Sequence, residues 1–173
     1  MRTLLTLLTI FLLSGCNSVD VAQYATNRPQ LDLFSYFTGK TKGYGIVQNR
    51  KGVQTRYFIV DITGTIEADG SLKLYEEFDW SDGEQPTRTW MINKSSEHNY
   101  SGTAGDVVGT AEGSAYGNAL NWEYHLNLKV EDSTWEIKFD DWMFLITEQI
   151  LINRARMSKF GFTVGEITIV FQK

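Results

Sequence analysis

The sequence is short of cysteine, proline and histidine. Its 173 residues hold one cysteine, two prolines and two histidines. A lone cysteine excludes an internal disulfide and leaves no thiolate set for zinc. His98 falls in a turn-forming stretch and His125 on the polar face of a strand, so each reads as a solvated surface residue. No metal site and no cofactor are expected. Positive charge is also scarce, with 16 Lys and Arg against 21 Asp and Glu and a net charge of −5. That balance excludes nucleic acid as a partner, because phosphates demand a basic footprint. It also leaves no polybasic patch for anionic lipid heads. Long apolar runs are missing as well. The longest, Leu4 to Leu13, is broken by threonines and falls well short of the ~20 residues that span a bilayer.

Catalytic signatures are equally sparse. There is no phosphate loop or dinucleotide fingerprint. Gly113-Ser114-Ala115-Tyr116-Gly117 only loosely resembles a serine-hydrolase elbow, since Glu112 stands where the first glycine is required. The adjacent pairs Glu76-Glu77 and Asp140-Asp141 fall on strands. Neighbouring strand residues point to opposite faces, so neither pair can act jointly on one substrate. The reading leans away from an enzyme.

What is present begins at the N-terminus. Arg2 supplies one positive charge, Leu4 to Leu13 an apolar segment, and Ser14-Gly15 small residues: the layout of a secretory signal. Leu13-Ser14-Gly15-Cys16 resembles the lipobox of bacterial lipoproteins. That resemblance implies cleavage before Cys16, lipid on its thiol, and membrane attachment through that cysteine. A thiolate is the nucleophile that thioether formation needs, and two or more acyl chains anchor stably. Asn17 is not the Asp that retains many such proteins in the inner membrane. The expected location is therefore the bacterial cell envelope, on the outer membrane facing the periplasm. Residues 1–15 read as signal peptide, 16–29 as a lipidated flexible tether reaching roughly 20 Å, and 30–173 as one domain.

From Lys42 onward the pattern is β. The clearest stretch runs from Leu120 to Val130. Leu120, Trp122, Tyr124, Leu126 and Leu128 share one face, while Asn121, Glu123, His125 and Asn127 share the other. Such alternation marks a half-buried antiparallel strand. Leu72, Leu74, Glu76, Phe78 and Trp80 form another inner face. Asp69-Gly70 and Gly117-Asn118 are hairpin turns, and Leu31 to Phe37 reads as a short cap. About eight to ten strands at hairpin spacing point to an all-β fold, an antiparallel up-and-down barrel or a sandwich.

Several motifs carry a family resemblance: Phe139-Asp140-Asp141-Trp142-Met143, Leu151-Ile152-Asn153-Arg154, Met157-Ser158-Lys159-Phe160-Gly161-Phe162 and Val164-Gly165-Glu166. Leu31-Asp32-Leu33 and Asp106-Val107-Val108-Gly109 belong with them. Over nearly the whole mature chain the sequence resembles the bacterial lipoproteins called DUF3833. The resemblance implies a lipocalin-like barrel and a connection with lipids. It assigns no activity.

A polar cluster is the candidate site. Asp141 shares the face of Ile137 and Phe139. A bend at Thr147 to Ile150, with Ile146 opposite Leu151, sets Met143 against Arg154 and Asp141 against Arg156, all facing inward. An inward carboxylate needs such a partner. The cluster is either a head-group site, its guanidinium holding a ligand carboxylate or phosphate, or an ion pair that pins register. Trp122 and Tyr124 are either apolar wall or plain core. Gly102, Gly105, Gly109, Gly113 and Gly117 either leave ligand space or lie under Trp side chains of a neighbouring strand. The expected function is a membrane-anchored lipoprotein whose barrel binds or shuttles a fatty acid or other apolar ligand. The alternative is an envelope structural or assembly protein with a filled barrel and no ligand. A pocket separates the two.

Overall fold

Alternation of large apolar and polar residues leaves each long strand with one face that must be hidden from water. A curved sheet closing on itself hides all of them at once. The computed structural model describes residues 19–130 and 133–173. The signal segment, Cys16 and Asn17 lie outside the described residues. Ten strands follow in chain order: β1 (Gly39–Asn49), β2 (Gln54–Ile66), β3 (Leu72–Trp80), β4 (Thr87–Lys94), β5 (Asn99–Ala104), β6 (Ala111–Tyr116), β7 (Ala119–Val130), β8 (Ser133–Leu145), β9 (Ile150–Lys159) and β10 (Phe162–Gln172). Each pairs antiparallel with the next, and β10 returns to β1, giving a closed barrel. Lys42 faces Gln172 at one end of that last pairing and Asn49 faces Gly165 at the other. Closure leaves no free sheet edge.

The expected inner face of β7 is hidden: Leu120, Trp122, Tyr124 and Leu126 are buried and Leu128 is half-buried. Asp69-Gly70 and Gly117-Asn118 turn the chain as expected. Gly117 has φ +54, and a Cβ there would collide with the Tyr24 carbonyl. Only glycine meets both demands.

The N-terminal residues plug one end of the barrel. A 3-10 turn (Val21–Tyr24) leads to α1 (Leu33–Phe37). Asp32 caps α1 by accepting from the Ser35 N–H at 2.8 Å and pairs with Lys94 of β4 at 2.5 Å. Buried Leu33 and Phe37 enter the barrel, and the Tyr36 hydroxyl donates to the carbonyls of Gln149 and Phe171 at 3.0 and 3.2 Å. This end carries the β6–β7 and β8–β9 turns. The opposite end carries the β1–β2, β3–β4 and β9–β10 turns.

The flexible tether expected for residues 16–29 needs correction from Val19 onward. The Tyr24 ring packs 5.5 Å from Phe144 and 6.0 Å from Trp142, Val21 is buried, and the Leu31 N–H donates to Gly117 at 2.7 Å. The polar composition of the segment masked these spaced apolar contacts. Among the described residues no helix is long and apolar enough to cross a membrane.

Candidate ligand-binding site

Inward positions are unequal in size around the ring. Strands β5 and β6 contribute Gly102, Ala111, Gly113 and Ala115, whereas β7 contributes Trp122 and Tyr124. The Trp122 ring lies over the two glycines: a Cβ on Gly102 would stand 2.9 Å from Trp122 Cζ2, and one on Gly113 2.5 Å from Cε3. These glycines therefore make room for a tryptophan rather than a ligand. Gly105 and Gly109 have open space around them.

The large side chains still do not fill the barrel. A cavity of about 820 Å³ runs along the axis, from Leu33 and Phe37 at the plug to Arg56, Pro86, Thr87 and Lys129 at the opposite end. It falls within the ~300–1,000 Å³ typical of small-molecule sites. Its wall is mainly apolar and aromatic. Phe58, Phe78 and Trp80 form one ring cluster, with Phe58 and Trp80 centroids 4.5 Å apart. Tyr124 stacks on Phe139 at 5.1 Å and meets Trp90 edge-on at 5.4 Å.

A polar belt crosses this wall at mid-height. Glu76 of β3 sits directly opposite Arg88 of β4, both facing inward. Arg88 Nε donates to Asp106 at 3.0 Å, and its guanidinium lies over Trp90 at 4.8 Å. Across the cavity, Asp141 Oδ2 accepts from the Tyr124 hydroxyl at 3.2 Å and from Asn153 Nδ2 at 3.4 Å. Burial pushes the Asp141 carboxyl up to about 7, against the bonds from Asn153 and Tyr124 and the more distant charge of Arg88. Burial likewise raises Glu76 to about 7, opposed by Arg88. Glu76 is half-buried and borders the cavity. Tyr124 is held well above its ordinary value, first by burial and then by Asp141.

The structure brings Asp141, Trp122 and Tyr124 together on the cavity wall and turns Arg154 and Arg156 away. The β8–β9 bend pairs Leu145 with Leu151 and Met143 with Asn153. That is one residue from the expected register, and a shift of one exchanges inner and outer faces. Asp141 accordingly faces Ala155, while Arg154 faces Trp142 and Arg156 faces Asp140 on the outer surface. Arg154 is exposed and bonds Glu166 at 2.7 Å. The expected Asp141–arginine head-group cluster is thus replaced by Asp141–Asn153–Tyr124, with Arg88 as the interior guanidinium. Glu76, Arg88 and Asn153 were missed as site residues. A signal was available for Glu76, a polar residue on the inner face with Leu72, Leu74, Phe78 and Trp80.

His98 and His125 are surface residues. His98 stacks on Tyr116 at 4.0 Å, and His125 Nδ1 lies 2.7 Å from Glu136. Among the described residues no group of His, Cys, Asp and Glu could hold a metal ion.

An up-and-down barrel, plugged at one end and hollow along its axis, defines a lipocalin-like protein. The chain belongs to the family described as protein of unknown function (DUF3833), whose model matches residues 10–173. No curated protein matches it in sequence. Among solved structures it is similar to an S-type phycobiliprotein lyase from Guillardia theta. The TM-score is 0.55 at 10% identity, over 80% of this chain and 87% of that one. It is also similar to a protein of unknown function of the DUF3598 family from Nostoc punctiforme. There the TM-score is 0.58 at 15% identity, over 84% of this chain but 50% of the other. At these identities the likeness is one of fold.

Proposed function

We propose that the protein is a lipid-anchored binding protein that holds or shuttles an apolar molecule, a fatty acid or related lipid, inside its barrel. The observation that carries this reading is the axial cavity of about 820 Å³ with its aromatic wall. A filled barrel working only through its surface would need no such space, and an interior left unpacked forfeits dispersion contacts. The anchoring part of the proposal rests on the signal layout and on Cys16.

The cavity is tested by filling it. Ala155 is buried on β9 opposite Asp141 and lines the cavity. Ala155→Trp should weaken an apolar fluorophore by about tenfold or more, the equivalent of ~1.4 kcal/mol. Circular dichroism on the same sample establishes that the variant is folded. Arg154→Met, one residue away on the outer face, should leave affinity within about twofold. A folded Ala155→Trp protein that binds the fluorophore as the parent does would place the ligand elsewhere.

The anchor is tested separately. Cys16→Ser removes the sulfur that would carry the lipid. Cells labelled with a radioactive fatty acid should show label on the parent chain and none on the variant. Label retained on the variant would reject Cys16 as the attachment point and, with it, the proposed route to the outer membrane.

A further inference from the structure

The polar belt narrows the kind of molecule that the cavity accepts, an inference that rests on the binding-protein reading above. Three side-chain atoms in it have no protein partner among the described residues: Arg88 Nη2, Asp141 Oδ1 and Asn153 Oδ1. All three side chains border the cavity. Asp141 and Asn153 are only 4% and 3% exposed. Buried polar atoms without partners are costly, so each calls for a bond from whatever shares the space. The trio offers one donor and two acceptors. A complementary head group must accept a bond and also donate one.

Charge narrows the choice again. Asp141 is faced by Tyr124 from β7, Asn153 from β9, Arg88 from β4 and Glu76 from β3. Asp106 engages Arg88, and Asp140 adjoins Asp141 on the outer face. In the belt one guanidinium, Arg88, stands against the carboxyls of Glu76, Asp106 and Asp141, while Arg56, the other guanidinium bordering the cavity, lies at the rim and pairs with Asp82 and Glu84. An ionised ligand carboxylate would add another negative charge and could donate to neither free oxygen. We propose that the cavity selects an amphiphile with an uncharged head that both donates and accepts, a hydroxyl or an undissociated carboxyl, read by Arg88, Asp141 and Asn153. For a fatty acid this means that the ligand and Asp141 hold one proton between them. Burial, which pushes Asp141 up to about 7, favours that shared state at and below neutral pH.

The test uses the full chain with an apolar fluorophore in the cavity. Cetyl alcohol and palmitic acid compete for it at about pH 5.5 and about pH 8.5, either side of the raised carboxyls. The alcohol should displace the fluorophore with affinities within about threefold at the two pH values. Palmitic acid should weaken by about tenfold or more at the higher pH, where the shared proton is lost. Asp141→Asn removes the neighbouring charge and keeps the shape. It should restore palmitate binding at high pH by about tenfold, so that palmitate binds alike at the two pH values. Palmitate that binds as tightly at high pH as at low pH, and more tightly than the alcohol, would overturn the proposal in favour of an ionised head on Arg88. If neither competitor displaces a fluorophore that does bind, the assignment of an acyl amphiphile falls while the cavity stands. If the fluorophore itself fails to bind, the binding-protein reading falls and takes this inference with it.

Discussion

Trp122→Ala should cost on the order of 3–5 kcal/mol of folding stability. The indole is 4% exposed and touches several strands at once. It lies over Gly102 of β5 and Gly113 of β6, and its ring meets Trp90 of β4 edge-on, with centroids 5.9 Å apart. The two glycines have no side chains to collapse into the vacated space, and the β5–β6 backbone is fixed by its pairing. Relaxation is therefore limited, and the cavity term adds to the lost transfer energy. Urea unfolding would read the loss directly. A thermal scan should show a fall of roughly 10 °C for a domain of this size. A change below about 1 kcal/mol would mean that Trp122 is loosely held ligand wall and not a structural keystone.

Stability should fall as pH rises from about 5 to about 8, and Asp141→Asn should reduce that fall to the part that Glu76 contributes. Asp141 has an ordinary value of 3.8 and is raised to about 7 in the folded protein. Between these values the folded state keeps a proton that the unfolded chain has released. Stability therefore decreases with pH across that window and levels off above it. The full effect is on the order of 4 kcal/mol for Asp141, and Glu76 adds in the same direction. Surface carboxylates act in another window. The Arg56 side chain holds Asp82 below its ordinary value, and the Ser71 side chain does the same for Asp69. Their contributions are lost only as pH falls below about 4. Asp141→Asn should thus be clearly more stable than the parent at pH 8 and close to it at pH 5, as read by urea midpoints. A parent protein at least as stable at pH 8 as at pH 5 would show that Asp141 ionises freely inside the barrel.

The barrel was legible because its longest inner faces obey period two without interruption. Leu120 to Leu128 and Leu72 to Trp80 are buried or half-buried where the alternation places them. The site was legible in part. Asp141 could be placed inward from Ile137 and Phe139 on its own strand. Its partners could not, because they lie across a bend, and parity across a bend depends on the number of residues in it. Five residues, 146–150, lie between the paired Leu145 and Leu151, where four, 147–150, were expected. That single step exchanged Arg154 for Asn153. Arg88 escaped notice for a different reason. Its neighbours Thr87 and Thr89 are polar too, so no contrast on its own strand marks it as inward. Glu76 did carry that contrast, seated among Leu74, Phe78 and Trp80.

If the protein is anchored as proposed, the way the chain enters the barrel decides which end faces the membrane. The 3-10 turn lies against β6 and β7 at the plugged end. Only residues 17–20 separate Cys16 from Val21, a reach of at most roughly 18 Å, so a lipid carried on Cys16 would be held near that end. On the proposed anchoring, such a lipid would tether the protein by its base, like a cup standing on the bilayer. The rim bearing Arg56, Thr87 and Lys129 would then look outward into the aqueous compartment. Any cargo would load and unload on that outward side, and not by direct contact with the anchoring membrane.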